Sequence, residues 1–343
     1  MENNNPVSGV RYWIIAMILI FTLLGGYYAI LKWDWSLLHQ FDVSFLIFLL
    51  TMAFLYLIVN TLSTWFLLKS MGYKTSVGKL YLVLTASLSS NYITPVKAGI
   101  PIRLWLYKSL FGIPITSGSA SLFVETGVGL IIGIAISILG APLVFDGSLP
   151  RSFSISATVF LVIFMLIVLF VWRIRSLRKI GNWIMPQRYL GKIIDWLREF
   201  KHSFHSMPVT MIPPIVLLYF SRLTIRVVCL YFAFNKIIPS TYISPFELVV
   251  AQSMGGIIGI VSMLPMGIGA KDISLTMLLM RIGVPREAAL VGVLIDRTLW
   301  TIIPLIAGVI SANVLGVSRL AQHSHETLSK TPENLPSHKH KGS

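Results

Sequence analysis

The sequence is short of charge, and of acidic residues above all. Only 12% of its 343 residues are charged, whereas a soluble domain carries about 25%. There are 13 Asp and Glu residues against 28 Lys and Arg, so the net charge is +15. A nucleic-acid-binding protein would be rich in charge overall, and a disordered chain would be poor in apolar residues. Because 55% of the residues are hydrophobic and the mean hydropathy is +0.78, the composition excludes most soluble enzymes and indicates an integral membrane protein.

Cysteine and the motifs of soluble enzyme chemistry are also scarce. The single cysteine, Cys229, lies in an apolar run and cannot form an intrachain disulfide, which favours a packed core thiol. The chain has no Gly-x-x-x-x-Gly-Lys phosphate loop, no nucleophile elbow and no His-Glu-x-x-His. Its histidines lack metal-ligand spacing. We therefore expect no metal, no cofactor and no enzymatic activity.

Long apolar runs are abundant. About 20 apolar residues cross a hydrocarbon layer roughly 30 Å thick, and this criterion predicts six transmembrane helices, over residues 12–31, 43–68, 118–139, 155–172, 212–234 and 288–310. Two further stretches are harder to place. Residues 80–94 are too few to cross comfortably, and residues 246–264 contain three glycines and end at a Pro-Met-Gly-Ile-Gly break.

Charge placement orients these segments, because short cytoplasmic loops collect Lys and Arg. Residues 69–108 hold six basic and no acidic residues, so both flanks of the 80–94 stretch should be cytoplasmic and the stretch should be a re-entrant hairpin. Residues 173–201 carry eight basic and two acidic residues and should also be cytoplasmic. With both termini inside, residues 246–280 must enter and leave from the outer side. The alternative is a full crossing at 246–264, which would place the C-terminal tail outside.

Two segments lie beside the predicted bundle of residues 1–317. In residues 173–208, apolar side chains recur at helical spacing between Lys and Arg, which is typical of an amphipathic segment on an anionic leaflet. A solvated loop packed on the bundle is the alternative. Residues 318–343 show no apolar periodicity and are predicted to be a disordered cytoplasmic tail.

The two problematic stretches open two similar units, at about residues 80–139 and 246–310. Each unit has a Pro-x-x-x-Gly break, a Gly-x-Pro turn and an acidic residue eleven positions after the second proline, at an offset of 170 to 171. The matching positions are Pro95, Gly99, Gly112, Pro114 and Glu125 in one unit and Pro265, Gly269, Gly283, Pro285 and Asp296 in the other. Since the charge argument inserts the units from opposite sides, the pattern predicts an inverted-topology repeat. Non-helical backbone at membrane depth must line a cavity or be buried in protein, so the breaks, with Gly267, are predicted to line a polar cavity.

Five ionisable residues fall inside the predicted spans, where each costs about 2.5–3.5 kcal/mol to insert and is a functional candidate. They are Glu125, Arg222, Arg226, Asp296 and Arg297. In one interpretation the acids only neutralise the arginines in a structural network. In the other, the arginines hold an anionic group, most naturally a phosphate, because the guanidinium fork donates two hydrogen bonds at once. Four more charged residues flank the breaks and could meet a headgroup: Lys97 and Arg103 at the inner break, and Lys271 and Asp272 at the outer one.

At these residues the sequence resembles the transmembrane region of lysylphosphatidylglycerol synthases. The first block is Asn91-Tyr-Ile-Thr-Pro95, followed by Gly99, Arg103, Gly112, Pro114 and Glu125, and the second is Leu264-Pro-Met-Gly-Ile-Gly-Ala-Lys-Asp272, followed by Gly283 and Arg297. The resemblance spans most of residues 10–315. Two positions depart from it, since Thr126 stands where the family usually has Arg and Asp272 where it usually has Glu.

In two-part members of that family, this region moves an aminoacylated phospholipid between leaflets, and a separate C-terminal domain makes the lipid. The resemblance implies a stand-alone, flippase-like protein without the synthase domain, and it adds Asn91 to the candidate binding residues.

These observations together predict an all-α membrane protein with about six transmembrane helices and two re-entrant hairpins. We expect it to move an anionic phospholipid or a polyprenyl-linked glycan across the cell membrane, with both termini cytoplasmic. The expected partners are membrane lipids and the anionic leaflet surface, and no nucleic acid. One alternative is an intramembrane enzyme acting on a lipid phosphate or a lipid-linked sugar. Another is a non-catalytic partner of glycosyltransferases.

Overall fold

Helices make up the regular structure of the chain. A computed structural model describes residues 35–93, 98–145, 206–262 and 269–316, together with 196, 199, 200, 202–204 and 267, and these residues include no strand. The predicted all-α class is confirmed. The predicted spans at 12–31 and 155–172, most of the 173–208 segment and the 318–343 tail lie outside the described residues.

We number the described α-helices in chain order. They are α1 (Val43–Ser70), α2 (Val77–Ile93), α3 (Gly99–Phe111), α4 (Ile115–Val144), α5 (Ile212–Ile237), α6 (Pro245–Val261), α7 (Ala270–Arg281), α8 (Arg286–Arg297) and α9 (Ile303–Val314). A π-helical turn, Thr298–Ile302, joins α8 to α9. Short 3₁₀ segments occupy Trp35–Gln40 and Val209–Met211.

Four of these helices are long and apolar enough to cross a membrane. They are α1, α4, α5 and the continuous Arg286–Val314 helix that contains α8, the π turn and α9. Each coincides with a predicted span, and the chain is a multi-pass membrane protein. By contrast, α2 and α6 have 17 residues each and are followed by a break and a shorter helix. That arrangement is the one a re-entrant hairpin requires, and the side from which each hairpin inserts stays a prediction.

The two units repeat the same order of elements. We call α2–α4 the first unit and α6–α9 the second unit. In each, a glycine with positive φ ends the short helix, at Gly112 (φ 66°) and Gly283 (φ 90°). Two residues later comes a proline of almost the same conformation, Pro114 (φ −57°, ψ 147°) and Pro285 (φ −54°, ψ 146°). The proline carbonyl accepts the first turn's hydrogen bond in both cases, at 2.9 Å. The Gly-x-Pro spacing of the sequence therefore corresponds to the same local turn in both units.

The first helix of each unit packs against the long helix of the other unit. The most extensive contact of α2 is with α9, and that of α6 is with α4. Small residues allow both crossings: a Cβ at Gly308 would overlap the carbonyl oxygen of Thr85, and a Cβ at Gly140 would overlap the side chain of Val250. Gly140 corresponds to Ser311 at the repeat offset of 171, and the Ser311 hydroxyl accepts a hydrogen bond from Thr85 at 2.8 Å. Close approach through small residues is the usual means by which membrane helices associate.

Helix α5 belongs to neither unit and contacts both of them. It packs on α4 of the first unit, on α6 and α8 of the second, and on α1. Its buried apolar side chains, such as Leu230 and Phe234, are part of the largest core cluster. This position allows polar residues of α5 to reach both acidic residues of the repeat.

Candidate functional site

Two arginines of α5 anchor the candidate site. Arg222 and Arg226 are four residues apart, so they lie on the same face of the helix. Arg222 reaches Glu125 of the first unit, with Nη1 and Oε1 3.4 Å apart. Arg226 reaches Asp296 of the second unit, with Nη2 and Oδ1 2.8 Å apart. The arginine pair therefore connects the equivalent acids of the two units through one helix.

Glu125 has a second cation from its own unit. Arg103, on the short helix α3, places Nη2 3.0 Å from Oε2 of Glu125. The hydroxyl of Thr64 accepts a hydrogen bond from Arg103 at 2.8 Å and lies 3.2 Å from the same carboxylate oxygen. Asn60, one turn earlier on α1, accepts a hydrogen bond from Arg222 at 2.5 Å. The first cluster is thus one carboxylate between two guanidinium groups, held by polar residues of α1.

Asp296 has the corresponding arrangement in the second unit. Lys271, on the short helix α7, places Nζ 2.5 Å from Oδ2 of Asp296. Gln252 of α6 donates a hydrogen bond to Oδ1 of Asp296 at 3.0 Å and accepts one from Arg226 at 3.0 Å. The indole ring of Trp300, in the π turn, lies beneath Arg226 at 5.7 Å. A proline cannot donate a backbone hydrogen bond, so Pro304 interrupts the regular helical pattern just after this turn, and a π turn is a common accommodation.

A cavity of about 360 Å³ lies between the two clusters. Its charged lining consists of Arg103, Glu125, Arg222 and Arg226, so three cations face it with one anion. The remaining lining comes from α1, α2, α4, α5 and α6: Tyr56, Asn60, Leu88, Leu122, Thr126, Gly129, Leu130, Gly133, Tyr219, Leu223, Gln252, Ser253, Gly256, Ile257 and Ile260. The volume is within the range of small-molecule sites. Because the positive charge is in excess, the cavity favours an anion.

Three donors at this cavity are not used by the protein. The Nε atoms of Arg222 and Arg226 and the hydroxyl of Ser253 are buried and have no hydrogen-bond partner among the described residues. A buried polar group without a partner costs about 1–3 kcal/mol, and more when it is charged. All three residues line the cavity, but the three atoms themselves are buried, so acceptor oxygens of a ligand would reach them only after these side chains shift.

Among the described residues, the other charged candidates do not line this cavity. Arg297 forms a bidentate pair with Asp272, with Nε–Oδ1 and Nη2–Oδ2 distances of 2.5 and 2.7 Å. Its Nη2 also donates to the carbonyl of Gly267 at 3.2 Å, while Asp272 accepts from the backbone N–H of Gly269 at 3.0 Å. This group joins the outer break to α7 and α8. Neither Arg297 nor Asp272 is among the residues that line the cavity, and Lys271 reaches the site only through Asp296.

The inner break is described only in part. Gly99 begins α3 in close contact with α2, where a Cβ would overlap the carbonyl of Ser87 and the side chain of Asn91. Asn91 is half-buried there and does not line the cavity. Pro95, Lys97 and Pro265 lie outside the described residues.

Sequence reasoning missed the neutral polar residues of the site. Asn60, Thr64, Gln252, Ser253 and Tyr219 all contact or surround the charged groups. The available signal was an amide within a long apolar run, because Asn and Gln are unfavourable there unless they have partners.

One ion pair lies apart from the site. Asp42 precedes α1 and pairs with Lys236, near the end of α5. The hydrogen bond from Lys236, assisted by one from Ser44, lowers the pKa of Asp42 to about 2. The pair is solvent-exposed, and water screens it.

Comparison with known proteins places the chain in a family. No curated protein matches it. A family model described as the lysylphosphatidylglycerol synthase TM region matches residues 13–308. That range includes the first unit, α5, the second unit as far as residue 308 in α9, and every charged residue of the two clusters. The chain belongs to the family of the lysylphosphatidylglycerol synthase transmembrane region, and it is a membrane protein of a family connected with lipid modification or translocation.

Proposed function

We propose that this protein is a flippase-like translocator of an anionic phospholipid or a lipid-linked sugar in the cell membrane, with both termini in the cytoplasm. One observation carries the proposal. A cavity between the two units, inside a bundle of helices long enough to span a membrane, is lined by three arginines and only one carboxylate.

The excess charge specifies the chemistry of the ligand. The described clusters contain five cations and three carboxylates, counting the Arg297–Asp272 pair. An uncompensated cation is costly in a region of low dielectric, so a phosphate that supplies the balancing charge binds favourably. The guanidinium groups of Arg222 and Arg226, which line the cavity, would donate to its oxygens, as guanidinium groups do in phosphate sites.

The two acids have different roles in this proposal. Glu125 faces the cavity and holds Arg103 and Arg222 when no ligand is bound. An entering phosphate would compete with it for Arg222. Asp296 is 1% exposed and does not line the cavity, so it holds Arg226 in place without facing the ligand. Because each unit contributes one acid, movement of one unit relative to the other would change which side the phosphate can reach.

Transport of labelled lipids in proteoliposomes tests the proposal. The panel would contain phosphatidylglycerol, phosphatidic acid, a polyprenyl-phosphate sugar and zwitterionic phosphatidylcholine, each with a fluorescent tail. We expect accelerated transbilayer movement of at least one anionic lipid and little acceleration of phosphatidylcholine. Arg222→Ala and Arg226→Ala should each reduce the rate by at least about tenfold, the effect of losing one charge-assisted hydrogen bond of about 1.5–3 kcal/mol.

The matched controls are Arg222→Lys and Arg226→Lys, which keep the charge and lose the fork. They should retain part of the activity. Folded wild-type protein that moves none of the anionic lipids would overturn the proposal. Formation of a chemically altered lipid in detergent, where there are no leaflets, would instead show an intramembrane enzyme. Full activity without both arginines would favour a protein that only recruits partners.

A further inference from the structure

A second, apolar groove adjoins the cationic cavity on the side of the first unit. Its volume is about 440 Å³, and it is lined by Ile100 and Leu104 of α3, by Ser119, Leu122, Phe123 and Thr126 of α4, and by Trp196 and Phe200. The four residues of α4 are spaced i, i+3, i+4 and i+7, so they form one face of that helix. Apart from the two hydroxyl groups of Ser119 and Thr126, this surface is hydrocarbon and aromatic.

The groove and the cavity share two residues. Leu122 and Thr126 line both spaces, and Glu125, which lies between them in sequence, faces the cavity. The two spaces are therefore neighbours, separated by the side chains of Leu122 and Thr126. The space on one side of these residues is cationic and the space on the other side is apolar.

Aromatic contacts build the outer wall of the groove. The rings of Trp196 and Phe200 stack at a centroid distance of 5.4 Å, and Phe200 meets Phe123 edge-on at 5.8 Å. The groove is not closed, because Trp196 is 40% exposed and Ile100 48% exposed. Its open side is apolar, as a passage into lipid requires.

The second unit has a different residue at the position equivalent to Thr126. At the offset of 171 that relates Glu125 to Asp296, Thr126 corresponds to Arg297. Arg297 is long and charged, and its pairing with Asp272 and its bond to the Gly267 carbonyl hold it in place. Thr126 is a small side chain at the junction of two open spaces. The residue difference makes the two units unequal at this point.

The geometry points to the groove between α3 and α4 as the binding site for an aliphatic chain of the lipid whose phosphate occupies the cavity. This inference rests on the proposed function and adds the place of the tail. The ligand is an amphiphile that enters and leaves on the first-unit side, past Thr126, with its chain against Leu104, Phe123 and Phe200.

Photolabelling in membranes tests where the chain lies. The probe is a phosphatidylglycerol with a diazirine near the middle of one acyl chain, and labelled peptides are mapped by mass spectrometry. We expect labels within residues 100–104, 119–126 and 196–200 that decrease when unlabelled phosphatidylglycerol is added. Labels confined to exposed surface positions, such as Leu139 of α4 (71% exposed), together with intact phosphate-dependent binding, would overturn the groove and leave the proposed function standing.

A substitution that fills the groove gives the second test. Ser119 lines the groove and not the cavity, so Ser119→Trp should weaken binding of phosphatidylglycerol about tenfold relative to binding of glycerol 1-phosphate, comparable to losing two buried methylene groups. Leu139→Trp, on the exposed face of the same helix, is the matched control and should bind both ligands as wild type does. If Ser119→Trp weakens the binding of both ligands equally, in protein with the melting temperature of wild type, the groove is not the binding site of the aliphatic chain. If the wild-type protein binds neither ligand, the proposed function fails with it.

Discussion

The acids of the two units occupy equivalent positions and have similar partners, yet they differ in what surrounds them. Glu125 and Asp296 each pair with one arginine of α5 and one cation from the short helix of its own unit. Glu125 is 10% exposed and faces the cavity, whereas Asp296 is 1% exposed and is enclosed by Gln252, Arg226 and Lys271. The same arrangement of charges therefore faces a cavity in the first unit and is enclosed by protein in the second.

The largest effect is expected when the enclosed acid loses its charge. Asp296→Asn leaves Arg226 and Lys271 buried without a counter-charge, so we expect it to destabilise the protein by about 3–5 kcal/mol. The loss of stability can be measured by heating the protein in detergent and recording how much of it stays monodisperse at each temperature. The double variant Asp296→Asn with Lys271→Met removes one of the stranded charges and should recover part of the stability. If Asp296→Asn has the melting temperature of wild type, burial of Arg226 and Lys271 without this counter-charge does not destabilise the protein, and the expectation is wrong.

A smaller effect on stability, with a larger effect on ligand binding, is expected for the open acid. Glu125→Gln should cost about 1–3 kcal/mol, because one face of the freed guanidinium groups is accessible from the cavity. The variant should also bind an anion more tightly than wild type, since Glu125 no longer competes for Arg222. Parallel measurements of melting temperature and of anionic-lipid affinity separate the two effects. Unchanged or weaker affinity in folded Glu125→Gln would contradict the competition.

The smallest effect is expected outside both clusters. The pKa of Asp42 is lowered from 3.8 to about 2 by its pair with Lys236, so any stability from this pair is complete above pH 4 and is lost as the pH falls towards 2. The groups are exposed, and salt screens them. We therefore expect Asp42→Asn to leave the melting temperature unchanged between pH 5 and 8 within experimental error. A decrease as large as that of Glu125→Gln would mean that this end of α5 is more closely coupled to the site than the contacts indicate.

The sequence allowed the main elements of the fold to be predicted because they depend on local rules. Apolar length located the four described spans, and the Gly-x-Pro spacing located the turns before α4 and α8. The offset of 171 also relates Glu125 to Asp296. The period of a helix places Arg222 and Arg226, four residues apart, on one face of α5.

The pairing within the site could not be predicted, because it depends on how distant helices cross. Nothing in the spacing of α5 shows that Arg222 pairs with Glu125 and Arg226 with Asp296. Arg297 was expected to hold the phosphate, with its neighbour Asp296 balancing charge or carrying protons. Adjacent residues of a helix point about 100° apart, however, and Arg297 pairs with Asp272 instead. The packing of α2 against α9 could not be predicted either, because it depends on contacts between residues more than 200 positions apart, such as Thr85 and Ser311.

The packing of α2 against α9 has a consequence for how the protein is made. Helix α2 emerges from the ribosome early, with Thr85 and Ser89 on the surface that will receive Gly308 and Ser311. Its partner α9 is synthesised more than 200 residues later, so the contacts of this surface with α9 cannot form until α9 has been made. Pairing of α2 with α9 is thus one of the last steps in the assembly of the described helices, although α2 comes early in the sequence.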